Sequence, residues 1–120
     1  MTVKEYLVES VTRLQAGVIR PRAVCADGLK LSIQASHLHH SYPQKLLADG
    51  EYETVEVALI ISNEHDRLRF EKYSSCIDEI STSGDVSNYL CCSYVNMRFM
   101  EQFVKEHGGI VDTFNKNKGE

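Results

Sequence analysis

The stretch S-H-L-H-H-S-Y-P-Q, residues 36–44, holds three histidines, a tyrosine and a proline. Imidazoles can ligate a metal, carry a proton or present a flat face to a ligand. Spacing decides among these. His37, His39 and His40 read H-x-H-H, and His37 and His39 share a side only if the segment is extended. A structural zinc needs four ligands, and a catalytic zinc three plus water. The chain has no H-E-x-x-H, no H-x-E…C-x-x-C and no C-x-x-C to complete such a set. The pattern predicts no metal and no cofactor. Nucleophilic chemistry lacks its marks as well. There is no G-x-S-x-G elbow, and Cys76 with Asp78 two residues on is an ordinary strand pattern. His107 falls at a helix end, where it suits the dipole. Asp78-Glu79 and the Glu64/Asp66 pair sit in polar runs that read as solvated surface. No phosphate-cradling G-x-x-x-x-G-K-[ST] or G-x-G-x-x-G occurs, and the glycines of H-G-G-I read as a helix stop. No catalytic residue is predicted.

Binding chemistry remains. "RPRAVCA" and "LKLSIQAS" flank Asp27-Gly28, the composition of a two-residue type I′ turn. Such a turn pairs Ala26 with Leu29, Val24 with Leu31, Arg22 with Ile33 and Arg20 with Ala35. Arg20 and Arg22 then lie at the open end of the hairpin, from which the histidine loop departs. A β-bulge would change their face but not their end. Guanidiniums bind phosphate through planar, paired donors, and His or Tyr rings stack on bases. The competing reading is a pair of solvated edge charges. The predicted ligand-binding set is Arg20, Arg22, Gln34, Ser36, His37, His39 and Tyr42. Asn96 and Arg98 join it from the start of the last helix, because a helix N-terminus favours anions.

These residues need elements to hold them. Thr2 and Glu5 form a capping box. Val3, Tyr6, Leu7, Val11 and Leu14 make one apolar helical stripe, with Gly17 as its stop. Pro21 ends any helix there and extends Arg20. Leu29, Leu31, Ile33 and Ala35 alternate with polar residues, as in a half-buried strand. "YETVEVALII" predicts a third strand, "FEKYSSCIDEI" a fourth and "SNYLCCSYV" a fifth. "SNEHDRLR" and "STSGD" connect them. Asn96 caps a final helix with Met97, Met100, Phe103 and Val104 buried, stopped at Gly108. The order α-β-β-β-β-β-α predicts an α+β fold, a single antiparallel sheet of about five strands with an N-terminal and a C-terminal helix. Residues 1–114 form one domain, and 115–120 a flexible tail.

Composition narrows the partners. A formal net charge of −4 over 120 residues does not suit bulk nucleic acid. The longest apolar run, Val57–Ile61, is too short for a bilayer, and the N-terminus has no apolar leader core. The reading is a cytoplasmic chain with Cys25, Cys76, Cys91 and Cys92 reduced. Each helix covers the sheet rather than a partner, and a chain this short leaves apolar surface for self-association, so a homo-oligomer, a dimer or higher, is expected.

"RPRAVCADGLKLSIQAS", then "H-S-Y-P", then "Y-x-x-VEVAL", and the closing "EHGGI" resemble a group of short proteins encoded by phages and prophages of Firmicutes. The resemblance spans about residues 18–110. Gln44 stands where that pattern has arginine, and Ala58 where it has glycine. The group is similar to the first type of Thoeris anti-defence protein. That resemblance implies a small, oligomeric sponge that binds glycocyclic ADP-ribose, and in some members cyclic oligonucleotides, without cleaving them. The absent arginine removes the loop's main expected phosphate contact. Two other functions stay open: a protein–protein inhibitor of a bacterial defence complex, and a small phosphodiesterase working through His37, His39 or His40.

Overall fold

The computed structural model describes residues 1–14, 17–60, 77–81 and 89–114. The first helix, α1, spans Val3–Ser10 and begins in the predicted capping box: Thr2 Oγ accepts from the Glu5 N–H, and the Glu5 carboxylate accepts from the Thr2 N–H. Val3, Tyr6, Leu7 and Ser10 recur at helical spacing and are buried. The helix is shorter than the apolar stripe predicts. Val11–Arg13 tightens into a 3₁₀ turn, and Leu14 is already extended. Thr12 Oγ donates to the Glu9 carbonyl at 2.9 Å, a local bond that competes with continued α-helix.

Strands β1 (Arg22–Cys25), β2 (Lys30–Gln34), β3 (Thr54–Ile60), β4 (Ile77–Ser81), β5 (Tyr89–Asn96) and β6 (Ile110–Phe114) form one sheet in the order β4-β5-β3-β2-β1-β6. Every neighbouring pair is antiparallel. Helix α2, Met97–Glu106, follows β5 directly; Asn96 Oδ1 accepts from the Phe99 N–H at 3.1 Å, as its cap position predicts. The fold is therefore α+β: among the described residues, one antiparallel sheet and two α-helices. Among the described residues the five expected strands are joined by a sixth, β6, at the end of the domain, where no strand is predicted. Gly108 and Gly109, at φ +89° and +83°, turn the chain back after α2. Ile110 then enters the core beside Cys25. Segments 61–76 and 82–88, with the predicted connections, and the 115–120 tail lie outside the described residues.

The hairpin forms where expected but with a different turn. Three residues, Ala26-Asp27-Gly28, close it: Cys25 N–H reaches the Leu29 carbonyl at 2.8 Å, and Gly28 N–H the Cys25 carbonyl at 2.9 Å. Gly28 takes φ +94°, and Asp27 Oδ1 accepts from the Leu29 N–H at 3.1 Å. This is a type I turn plus a left-handed residue, the usual three-residue hairpin loop. The pairs are Ala23↔Leu31 and Val24↔Lys30, one residue from the predicted register. Such a slip exchanges faces for every side chain beyond it.

The turn is held from the other end of the chain. Ala26 N–H donates to the Gly109 carbonyl and Asp27 N–H to the His107 carbonyl, at 3.0 and 3.2 Å. The Asp27 carboxylate meets His107 Nδ1. Partial burial raises the Asp27 carboxyl, but the bonds from Leu29 and His107 outweigh it and hold the group below the usual range. The "CADG" and "EHGG" motifs are thus two halves of one joint.

Both helices cover one face of the sheet. Ala23, Cys25, Leu31, Ile33, Val55, Val57, Leu59, Cys92 and Val95 meet Tyr6, Leu7, Met100 and Phe103 there. Burying each large side chain contributes about 1.5–3 kcal/mol. Glu101 ties the helices together by accepting the Val3 and Lys4 N–H groups at 2.8 and 3.1 Å. Among the described residues, no helix is long and apolar enough to cross a membrane.

Candidate functional site

The histidine loop leaves β2 at Ala35 and runs back over the β3–β5 side of the sheet. Ser36 anchors its start. Its hydroxyl takes the Leu38 N–H at 3.0 Å and lies 2.7 Å from His39 Nδ1. Further on, the His40 carbonyl accepts from the Tyr94 N–H, and Tyr42 pairs with Thr54. The loop thus continues from β2 and is bonded to β3 and β5.

Strand β5 contains a bulge. Val55 pairs with Val95 and Val57 with Cys92, so Glu56 of β3 faces two residues, Ser93 and Tyr94. Tyr94 adopts φ +53°, a left-handed conformation unusual for a bulky residue. The bulge delivers both residues to His40. The His40 and Tyr94 rings stack, with centroids 5.4 Å apart and planes 10° from parallel. His40 Nδ1 sits 2.8 Å from Ser93 Oγ and 3.5 Å from a Glu56 oxygen. The His40 side chain is 50% exposed and Glu56 33% exposed. An open imidazole, backed by a phenol and edged by a carboxylate, suits the stacking and hydrogen bonding of a flat polar ligand.

The predicted site residues divide sharply. Arg20 is 2% exposed, so its guanidinium is not presented to a phosphate. It donates to the Ala35 carbonyl at 2.5 Å and the Leu7 carbonyl at 3.4 Å, while its Nε has no partner. The changed register is the reason: it sets Arg20 opposite Gln34, not Ala35. Gln34 is also spent, its amide bonded to both backbone groups of Arg20 and to Ser32. Ser36 is fully buried. These three build the loop's base rather than its open face. Arg22 keeps partial exposure on the face opposite the two described helices. His37 is exposed, and Tyr42 is 58% exposed at the loop surface. His39 is half-buried, and burial lowers its pKa below the ordinary value.

Asn96 and Arg98 line a separate open cleft of ≈ 640 Å³ with Glu53, Thr54, Met97 and Glu101. The helix end there is already occupied: Met97 N–H donates to the Glu53 carbonyl and Phe99 N–H to Asn96. Two carboxylates against one guanidinium do not make an anion site.

His39 and His40 point their Nδ1 atoms at different serines, Ser36 and Ser93. No group of three or more His, Cys, Asp or Glu side chains among the described residues could hold a metal ion. His40 also faces Ser93 and Glu56 with the same nitrogen, so the trio cannot relay a proton as a Ser-His-acid triad does through both ring nitrogens.

The sequence reading missed Glu56, Ser93 and Tyr94 and left His40 outside the ligand set. Glu56 looks like the outward residue of an alternating strand, and a bulge leaves no mark in "CCSYV". The one available signal was the density of polar and aromatic residues in that strand. Comparison with protein-family models, with curated proteins and with solved structures returns no match.

Proposed function

We propose that the chain is a non-catalytic binding protein that sequesters a cyclic nucleotide signal, as the counter-defence sponges it resembles do with glycocyclic ADP-ribose or cyclic oligonucleotides. It would act as a homo-oligomer in the cytoplasm, the host's if a phage encodes it. The observation that supports this best is the half-exposed His40 ring stacked on Tyr94 at the β5 bulge. A left-handed tyrosine costs about 1–3 kcal/mol, and such residues cluster where geometry serves a ligand. Base–aromatic stacking contributes about 1–3 kcal/mol per base. Arg22, on the face opposite the described helices, is the cation for the phosphates, with His37 and Tyr42 at the loop's open side.

The test is thermal stabilisation against a panel of cyclic nucleotides. A ligand at about 100 times its dissociation constant adds about 2.7 kcal/mol. The complex is then heat-denatured and the nucleotide recovered. Intact nucleotide supports a sponge. An altered nucleotide supports the phosphodiesterase reading. No stabilisation by any member of the panel removes the nucleotide ligand and leaves the inhibitor of a defence complex.

A further inference from the structure

We propose that Glu56 reads the donor edge of a guanine seated on the open face of His40, so that the ligand is a guanine-bearing cyclic nucleotide rather than an adenine-bearing one. This rests on the ligand class proposed above and narrows it.

The polar groups around the His40 ring differ in what they can offer. One ring face is taken by Tyr94, and half of the side chain remains exposed. Ser93 is 8% exposed and engaged with His40 Nδ1. Gln34 pairs with Glu56 across β2–β3, but its amide is used up on Arg20 and Ser32. Ser36 is buried and occupied by Leu38 and His39. Glu56 is different: its carboxylate lies 3.5 Å from the ring nitrogen and is a third exposed. An ionised carboxylate only accepts hydrogen bonds, and it can accept two side by side.

That chemistry discriminates among bases. Guanine presents N1–H and N2–H as adjacent donors, which match both carboxylate oxygens. Adenine presents one amino donor beside the N1 lone pair, which the second oxygen repels. Cytosine has the same defect at N3, and uracil places a carbonyl on each side of its single donor. A site built for hydrogen-bond donors discriminates strongly, because a mismatched ligand leaves its polar groups unpaired.

The test is calorimetric titration of the full chain with cyclic di-guanosine monophosphate and cyclic di-adenosine monophosphate. Charge-assisted bonds contribute enough for a preference of about ten- to a hundredfold. Wild-type protein is expected to bind the guanine ligand at least about tenfold more tightly. Glu56→Gln should bring the two affinities within about threefold. Tyr94→Gly keeps the left-handed backbone without strain and should weaken both ligands together. Circular dichroism melts confirm that each variant folds. Equal or tighter binding of the adenine ligand by wild type overturns the assignment of Glu56. If Tyr94→Gly still weakens both ligands in that case, the stacking site itself stands. If neither ligand binds, the guanine assignment falls, and the proposed function then stands or falls separately on the panel that includes glycocyclic ADP-ribose.

Discussion

At the residue scale, Arg20 shows how a side chain suited to one task performs another. A guanidinium near a histidine loop invites a phosphate, yet here it braces α1 to the end of β2 through two carbonyls. Removing it leaves a cavity and takes the guanidinium donor from two carbonyls, so Arg20→Ala should cost about 2–4 kcal/mol of stability. Arg20→Lys should fail to rescue it, since one ammonium cannot span both carbonyls. Urea unfolding measures this, and an undiminished midpoint in either variant would contradict the bracing role. His39 gives a second expectation. Its burial, aided by Arg20 and the neighbouring histidines against the opposing Glu56, lowers its folded-state pKa below the ordinary 6.5. The unfolded chain then binds the proton more readily. The associated stability is complete above about pH 6.5 and is lost as pH falls through the folded-state value. His39→Asn keeps a polar partner for Ser36 and removes the titration, so its melting temperature should fall less than wild type's between pH 7.5 and pH 5.5, as about one-unit steps of the scan will show. Residue types single out this loop in the sequence; which of them face solvent was not legible, because a one-residue register change decides it.

At the element scale, local signals were legible and their junctions were not. The capping box at Thr2, the Asn96 cap and the alternation in β2 and β3 are short-range patterns, and each forms as read. The hairpin register depends instead on Gly109 and His107, some eighty residues away, which bond the turn and select its three-residue form. The same joint explains why glycine is needed at position 108. It has φ +89°, and a Cβ there would lie 2.6 Å from the Ala26 Cβ. Gly28 has φ +94° but open space around it. Gly108→Ala should therefore destabilise by about 2–4 kcal/mol and Gly28→Ala by about 1–2 kcal/mol. Equal losses in chemical denaturation would show that the contact with Ala26 is not the cause. The last strand shows a related device. Thr113 N–H bonds to the Asp112 carboxylate, and Arg13 reaches the Thr113 hydroxyl at 2.7 Å. Side chains from its own strand and from the turn after α1 thus occupy part of the β6 edge and blunt it against pairing with another chain.

At the scale of the whole molecule, the two described helices lie on one side of the sheet, and among the described residues the other side carries a mixture of side chains. Val24, Ala58 and Ile60 share that face with Arg22, Lys30 and Glu56, and all are only partly buried. The His40–Tyr94 stack stands at one end of it. This face offers a second copy a partly apolar contact, and a copy seated on it would also cover the His40–Tyr94 stack. We therefore predict a dimer built on this face, symmetric because like patches meet. Light scattering at micromolar concentration should give about twice the chain mass, and the melting temperature should rise with protein concentration, as linkage of folding to assembly requires. Ile60→Lys places a charge on this face beside Lys30. It should yield a folded monomer whose melting temperature no longer depends on concentration and whose affinity for cyclic nucleotide drops with the loss of the second copy. A wild-type chain that scatters as a monomer at high micromolar concentration would remove the dimer. A monomer that still binds nucleotide with full affinity would place the whole site on one chain, with His40, Tyr94 and Glu56 sufficient by themselves.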